Sequence, residues 1–312
     1  MDAHYAVYVT MVNITIYVIP WRRRRGRYGG RVTAVPIPSD VGAVSQPGQL
    51  IVTLYGLYAR QNDGWLSVAA VVRLMGDLGV DAQSVRSSIS RLKRRGLLEA
   101  RRVGGAAGYA LSGLAREILA DGDARIFGRR RATVADGWLL VVFSVPESER
   151  DKRHQLRTQL TRLGFGTVTP GVWVAPGHLE AEAKEMLARL AVGEYSEVFR
   201  GQHVAPGDVA GQVPRWWDLA ALHRLYVAFL DRYRPVLERW SRGPAVDTGA
   251  AFADYVEVLT AWRRLPYADP GLPLELLPEG WSGVAAEELF AALRETLAGP
   301  AAVHARSVLF PA

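Results

Sequence analysis

A run of short polar and basic side chains between Gln83 and Leu98 contains no acidic residue. If this run is a helix, rotation by about 100° per residue places Val85, Ile89 and Leu92 on one narrow apolar face. On the opposite side, glutamine can pair with adenine, arginine can pair with guanine, and outer arginines can hold phosphates. A solvated charged face is the simpler alternative, but such faces usually mix acids with bases. The side chains that we expect to contact bases or phosphates are Gln83, Arg86, Ser87, Ser90, Arg91 and Arg94.

Other kinds of site find little support in the residue types present. The 312 residues include no cysteine, which excludes disulfides, thiolate metal sites and a cysteine nucleophile. None of the three lysines stands in a phosphate-binding GxxxxGK[ST] loop. The six histidines are scattered, and none lies three to five residues from another, as a local metal pair would require. We therefore predict no metal site, no cofactor, no catalytic residue and no enzymatic activity.

Positive charge is concentrated at the front of the chain. Through Arg131 there are 20 basic and 9 acidic side chains, a net of +11, whereas the remainder has 18 and 22, a net of −4. A domain this basic attracts polyanions through counterion release. Biased genome composition could explain why 35 arginines stand against 3 lysines, but it would enrich both halves alike. The asymmetry favours nucleic acid as the partner.

The elements around the polar run predict a helix-turn-helix. Apolar residues at helical spacing follow Pro47 and give a first helix. Ser67 is a suitable N-cap for a second helix, and the glycine-containing segment 76–81 ends that helix. Asp81 can cap the third helix, which runs to Arg95. Two short helices joined by such a turn fit the helix-turn-helix pattern.

A β-hairpin is predicted directly after the third helix. Residues 97–103 and 109–112 are short alternating runs on either side of a glycine-rich turn at 104–108. A hairpin in this position is a wing, and Arg101 and Arg102 near its tip can reach phosphates or the minor groove. Helix, hairpin and local charge together predict a winged helix-turn-helix.

The middle of the chain predicts a ferredoxin-like domain. Apolar residues 137–145 read as a buried strand, and Ser148 can cap a helix over 149–163. The remaining predicted elements are strands at 167–169 and 172–175, a helix over about 179–190 and a strand around 195–200. This βαββαβ order is the ferredoxin-like arrangement.

The last third predicts amphipathic helices. Pro214 begins a long helix, a second runs through Phe252 to Trp262, and a third runs through Leu289 to Leu297. Four prolines between Pro266 and Pro278 predict a structured loop. The fold class is thus α+β and multidomain. The predicted division is an extension and linker at 1–45, a winged helix-turn-helix at 46–131, a ferredoxin-like domain at 132–205 and a helical C-terminal domain at 206–312.

Residues 4–19 form an apolar, β-branched stretch followed by Arg22 to Arg25. The stretch is shorter than the roughly 20 apolar residues of a spanning helix and contains Asn13. A secretory signal would carry its positive charge before the apolar run. We expect a buried strand, or residues upstream of the true start, and no membrane anchor.

Three segments together resemble the PaaX family of bacterial transcriptional repressors, which control phenylacetate degradation. These segments are residues 84–98, residues 138–157 with the sequence Phe-Ser-Val-Pro-Glu, and Gly164-Phe-Gly166 with Pro-Gly-Val-Trp-Val at 170–174. The resemblance covers about residue 46 to the C-terminus. It implies a cytoplasmic homodimer that binds double-stranded operator DNA and releases it on binding phenylacetyl-CoA. It also implies that the helical domain at 206–312 serves dimerisation and effector binding.

The middle domain is also similar to the small nuclease-like subunit of CRISPR spacer acquisition. Those proteins carry a functional aspartate at the end of the first strand, where this chain has Ser144. A nuclease built on the middle domain and a winged-helix protein-interaction module are the alternatives to a repressor. The missing aspartate argues against the first, and the acid-free helix argues against the second.

An aryl-CoA effector would need aromatic walls and arginines. Nothing in the sequence separates phenylacetyl-CoA from another acyl-CoA. The tryptophans named below have a simpler interpretation, in which they pack the junction between domains. The predicted effector-binding residues are Arg153, Arg157, Arg215, Trp216 and Trp217.

Overall fold

The computed structural model describes residues 45–204, 208–242 and 247–310, together with the backbone of two short strands near the N-terminus. These strands, β1 (Val7–Tyr8) and β2 (Tyr17–Val18), pair antiparallel. The rest of the predicted extension and linker at 1–45 lies outside the described residues, except for its last residue, Ser45. The described chain is a mixture of helices and antiparallel sheets.

The front of the described chain has three helices, and two of them begin at the N-caps that the sequence predicts. The Ser67 hydroxyl accepts a hydrogen bond from Ala70 N at 3.1 Å, and an Asp81 carboxylate oxygen accepts one from Ser84 N at 2.8 Å. Both predicted N-caps are therefore confirmed. The first helix passes into a π-helical turn at Tyr55–Ala59, so its regular part ends early. The helices are α1 (Pro47–Leu54), α2 (Val68–Asp77) and α3 (Ala82–Arg94).

A three-stranded antiparallel sheet accompanies these helices. Its hairpin turns on Gly104 and Gly105 alone, with φ of +56° and +82°, a backbone that glycine adopts without steric cost. The predicted turn at 104–108 was therefore too long. A third strand, which the sequence did not predict, pairs with the second arm of the hairpin. In spatial order the strands are β3 (Trp65–Ser67), β5 (Ala106–Leu111) and β4 (Leu98–Val103).

The middle of the chain contains a four-stranded antiparallel sheet with two helices packed on one face. The predicted cap at Ser148 was wrong. A 3₁₀ turn, Glu147–Glu149, precedes the helix, and its N-cap Glu149 makes no side-chain capping bond. In spatial order the strands are β7 (Gly166–Thr169), β8 (Val172–Pro176), β6 (Trp138–Phe143) and β9 (Ser196–Gly201). The helices are α5 (Arg150–Leu163) and α6 (Glu180–Arg189), and α4 (Gly113–Phe127) links the two sheets along the chain.

The last third is helical, but its first long helix does not begin at Pro214. A short helix ends at Trp216, Trp217 is extended, and Asp218 caps the long helix by accepting a hydrogen bond from Ala221 N at 2.8 Å. The predicted loop between the prolines is structured and largely buried. The helices are α7 (Val213–Trp216), α8 (Leu219–Ser241), α9 (Thr248–Trp262), α10 (Leu265–Ala268) and α11 (Ser282–Leu309).

One apolar core joins the front helices to the C-terminal helices, while the middle sheet and its helices enclose a separate core. At the junction of the first core, the buried hydroxyls of Thr53 on α1 and Thr260 on α9 lie 2.7 Å apart. His304 on α11 and the Asp77 carboxylate at the end of α2 share a hydrogen bond of 2.8 Å. The helices α1 and α2, on which α3 packs, therefore lie directly against the C-terminal helices. Within the described residues, no helix is long and apolar enough to cross a membrane.

Candidate nucleic-acid interface

Helix α3 divides into two faces as its spacing predicts. Val85, Ile89 and Leu92 are at most 2% exposed and pack in the core beneath α1 and α2. Ser88 is also buried, which the sequence did not single out. All six residues of α3 that we expect to contact DNA are exposed: Gln83, Arg86, Ser87, Ser90, Arg91 and Arg94.

The exposed arginines of α3 differ in what holds them. Arg91 donates a hydrogen bond from a guanidinium nitrogen to Ser88 Oγ at 2.7 Å, so this buried serine orients it. The side chains of Arg86 and Arg94 make no hydrogen bond or ion pair with any residue that the structure describes. Lys93 adds another exposed base. The surface of α3 thus presents basic groups beside short hydroxyls without a neutralising acid on the same helix.

Asp81 is the acid nearest to this surface along the chain, and its carboxylate accepts a hydrogen bond from the first turn of α3. Hydrogen bonds from Ser84 hold the pKa of the Asp81 carboxyl below its ordinary value, and the backbone N–H of Gln83 contributes. Its negative charge is therefore used to complete the N-terminal turn of α3.

The two hairpin arginines point to opposite sides of the sheet, because neighbouring residues of a strand alternate. Arg102 lies on the same side as Leu98, which is buried against the helices. Arg101 lies on the other side, opposite Gly108 of β5. Both side chains are exposed. Arg101 has an ion-pair partner, whereas Arg102 has none among the described residues.

That partner belongs to a cluster that we call the Asp63 clasp, formed by Asp63, Trp65, Arg101, Gly108 and Arg116. A guanidinium nitrogen of Arg101 lies 2.6 Å from an Asp63 carboxylate oxygen, and Arg116 donates a hydrogen bond to the Asp63 carbonyl at 2.7 Å. Trp65 Nε1 donates to the Arg101 carbonyl at 3.1 Å. A Cβ on Gly108 would lie 2.5 Å from the Trp65 ring, so glycine is needed there. Of these five residues, the sequence predicted a role in the site only for Arg101.

The five predicted effector residues fall into two groups. Trp216 and Trp217 both pack against Trp138 of β6, with ring centroids 5.6 and 6.1 Å away. Trp217 Nε1 also donates to the Gly164 carbonyl at 2.9 Å. Both tryptophans are half-buried at the junction of the middle sheet and the C-terminal helices, while Arg215 is exposed beside them.

The second group lies on α5. Arg153 forms an ion pair with Glu147, and Arg157 is half-buried. In the described chain, no hydrogen bond, ion pair or ring contact joins either arginine to Trp216 or Trp217. The structure therefore brings the tryptophans together but does not bring the α5 arginines to them.

Ser144 follows β6, at the position where the nuclease-like proteins carry their aspartate. It is exposed, and its backbone N–H donates to the Tyr195 carbonyl at 2.9 Å. No group of three histidine or acidic side chains that could hold a metal ion occurs in residues 45–204, 208–242 or 247–310.

Sequence reasoning missed a buried charged network between α4 and the C-terminal helices. Asp269 is 2% exposed and accepts hydrogen bonds from Arg129 at 2.7 Å and from the Tyr226 hydroxyl at 2.6 Å. Burial alone would raise the pKa of Asp269, but Arg129, Arg131 and Tyr226 together hold it well below its ordinary value. The run of arginines at 129–131 was the available signal, but it entered the sequence analysis only through the net charge.

Three family models match the chain in succession: "PaaX-like protein" over residues 46–115, "PaaX protein central Cas2-like domain" over 131–213, and "PaaX-like protein C-terminal domain" over 217–307. The chain is 25% identical over 258 residues to "Transcriptional repressor PaaX" of Escherichia coli (strain K12), covering 81% of each protein. Its fold is similar to that of the uncharacterized protein Rv0674 from Mycobacterium tuberculosis. That match has a TM-score of 0.54 and 21% identity, and covers 81% of this chain and 97% of the other.

Proposed function

The chain belongs to the PaaX family, and from this premise we propose that it is a transcriptional repressor that binds double-stranded operator DNA. The observation that carries the proposal is the exposed face of α3, which holds serines, a glutamine and arginines and has no acid. Two of these arginines, Arg86 and Arg94, have no side-chain partner among the described residues. Such a protein is a regulator rather than an enzyme, and it would act in the cytoplasm, where its DNA is.

The proposed architecture has three domains after the extension at 1–45. A winged helix-turn-helix occupies 46–131, a ferredoxin-like domain 132–205 and a helical domain 206–312. Support for the first comes from the order α2, α3, hairpin, and support for the second from the spatial strand order β7-β8-β6-β9 in a βαββαβ chain. The ranges of the three family models support similar divisions.

In this proposal α3 enters the major groove. Gln83, Ser87, Ser90 and Arg94 face the base edges, since they lie opposite the buried stripe. Arg86 and Arg91 flank them and bind phosphates. Arg101 and Arg102 belong to the wing, which is the hairpin β4–β5, and contact phosphates or the minor groove.

The proposal includes a homodimer on a two-part operator, because repressors of this kind match two half-sites with two copies. Sedimentation of the protein with and without a duplex would measure the stoichiometry. Two protein chains per operator are expected, and a single chain at saturation would remove this part of the proposal.

Phenylacetyl-CoA, or a related acyl-CoA, is the proposed effector. Trp216 and Trp217 supply an aromatic surface and Arg215 an exposed cation, whereas Arg153 and Arg157 form a separate basic group on α5. Alanine variants of each group, titrated with the CoA thioester by calorimetry, would test the two groups separately. Full effector affinity in both sets would remove these five residues from the proposed site.

The central experiment is a gel-shift assay on DNA from around the protein's own gene, with and without phenylacetyl-CoA. We expect a shifted band that competitor DNA of random sequence does not abolish and that the thioester releases. Absence of any sequence-selective complex would overturn the repressor proposal. A selective complex that ignores the thioester would overturn only the proposed effector.

A further inference from the structure

We propose that the Asp63 carboxylate, within the winged domain, competes with DNA phosphates for the Arg101 side chain. The carboxylate holds Arg101 in the free protein, and this guanidinium must exchange from the carboxylate to a phosphate when DNA binds. Asp63 is thus a positioning residue that limits the affinity of the wing for any DNA backbone. The inference rests on the proposed DNA-binding function.

The geometry of the clasp supports this assignment because both ends of the ion pair are fixed independently of it. Arg116 holds Asp63 from the other side: it donates the hydrogen bond to the Asp63 carbonyl, and one of its guanidinium nitrogens lies 3.5 Å from a carboxylate oxygen. Trp65 holds the backbone of β4 through its bond to the Arg101 carbonyl, and the ring lies over Gly108, where any side chain would clash. Arg101 can therefore reach the carboxylate without ordering either strand anew.

Electrostatics make Asp63 the group with which a phosphate must compete. The hydrogen bond from Arg101 is the main reason why the pKa of the Asp63 carboxyl lies below its ordinary value, and Arg116 adds to it. The pair is exposed, with 48% of the Arg101 side chain and 69% of the Asp63 side chain accessible. A phosphate can therefore approach, and because exposed ion pairs are weak, exchange is feasible.

The neighbouring arginine provides the contrast. Arg102 lies on the opposite side of the hairpin and has no ion-pair partner among the described residues. It needs no exchange before it meets a phosphate. The two wing arginines thus differ in one respect that an experiment can isolate, namely the presence of a carboxylate that must be displaced.

The test is a double-mutant cycle on DNA affinity. Fluorescence anisotropy would measure the binding of operator and random duplexes by the full chain and by D63N, R101Q, R102Q and the double variants D63N/R101Q and D63N/R102Q. Asparagine tolerates the left-handed backbone that Asp63 adopts, with φ of +49°, so D63N removes the charge and keeps the turn.

We expect D63N to bind both duplexes about 1.5- to 5-fold more tightly, the range that corresponds to an exposed ion pair. The gain should persist in the R102Q background and vanish in the R101Q background. If Asp63 only braced the wing, its replacement would weaken binding instead.

Unchanged or weaker binding by D63N, or an equal gain in the R101Q background, would overturn the inference while leaving the repressor proposal intact. If the unaltered protein bound neither duplex, the proposed function itself would fail, and this inference with it. Thermal unfolding of each variant would show that changes in DNA affinity do not arise from loss of the fold.

Discussion

At the scale of single residues, the exposed face of α3 makes a prediction about sequence recognition. Arg94→Ala and Ser90→Ala should each weaken operator binding, by about 1–3 kcal/mol where a bidentate base contact is lost. Both side chains are exposed and point away from the buried stripe, so the free energy of unfolding should change little. Anisotropy with operator and random duplexes would measure the loss.

A matched control is Arg189→Ala on α6, an exposed arginine outside the proposed interface. This variant should bind like the unaltered protein. Equal losses on operator and random DNA for Arg94→Ala would limit that side chain to phosphate contacts.

Asp269 makes a second prediction at this scale, concerning stability. Asp269→Asn would leave the Arg129 guanidinium buried without its counter-charge, and removing one partner of a buried ion pair typically costs about 3–5 kcal/mol. Urea unfolding followed by circular dichroism would measure the change. A loss near zero would show that water or another group replaces the carboxylate.

The same residue predicts a pH dependence. The pKa of Asp269 is about 3.9 in the unfolded chain and lower in the folded one. A depressed folded pKa contributes stability above the unfolded value and loses it as the pH falls through the folded value. Acidification below about pH 4 should therefore reduce the free energy of unfolding more steeply in the unaltered protein than in Asp269→Asn. Parallel curves would contradict this.

At the scale of elements, the wing depends on one glycine. Gly108→Ala would place a Cβ 2.4 Å from the Leu66 carbonyl oxygen and 2.5 Å from the Trp65 ring. Trp65 must then shift, and overpacking of this kind costs about 1–3 kcal/mol. DNA binding should weaken as well, since the displaced ring no longer supports the Arg101 strand.

Gly113→Ala is the matched control for this variant. Gly113 is the first residue of α4, its φ lies outside the left-handed region, and a Cβ there would meet no other described part of the chain within 4 Å. The control should leave the melting temperature unchanged or slightly raised. A melting temperature of Gly108→Ala equal to that of the control would show that the wing accommodates the methyl group.

The elements also show what the sequence can and cannot predict. Helix caps at Ser67 and Asp81 and the two faces of α3 were predictable, because local hydrogen bonding and helical periodicity determine them. The start of α8 was not, since its apolar pattern continues through Trp217, and only the extended backbone there separates the two helices.

Tertiary contacts account for the features of the site that were missed. The Asp63 clasp joins residues 38 positions apart, and Asp269 lies 140 positions from Arg129. Neither spacing produces a periodic signal. The effector residues stay a prediction for the same reason, because their proximity depends on how the middle domain meets the C-terminal helices.

At the scale of the whole molecule, acyl-CoA and DNA should bind antagonistically. The α1 and α2 helices pack on α9 and α11, so a change in the C-terminal helices has a direct route to the DNA-binding surface. Coupling between sites is reciprocal: the thioester should weaken operator affinity by the factor by which the operator weakens thioester affinity. That factor is roughly 5 to 150 for a typical coupling.

Calorimetric titration of phenylacetyl-CoA into the free protein and into the operator complex would measure both affinities. Unequal factors would indicate a further state, such as a change in oligomer. Operator binding that stays the same at saturating thioester would leave a repressor without this kind of control.

The continuous core between the front and C-terminal helices also bears on how such a chain can evolve. A winged domain that buries its own hydrophobic core completely can be transferred as a unit from one protein to another. Here α1 completes its burial against α9, and Thr53 shares a buried hydrogen bond with Thr260 more than two hundred residues later. A chimaera that joined residues 46–131 to an unrelated regulatory half would expose the apolar face of α1. It would also leave the Thr53 hydroxyl without its hydrogen-bond partner. The proposed DNA-reading and regulatory ends of this chain are therefore constrained to change together.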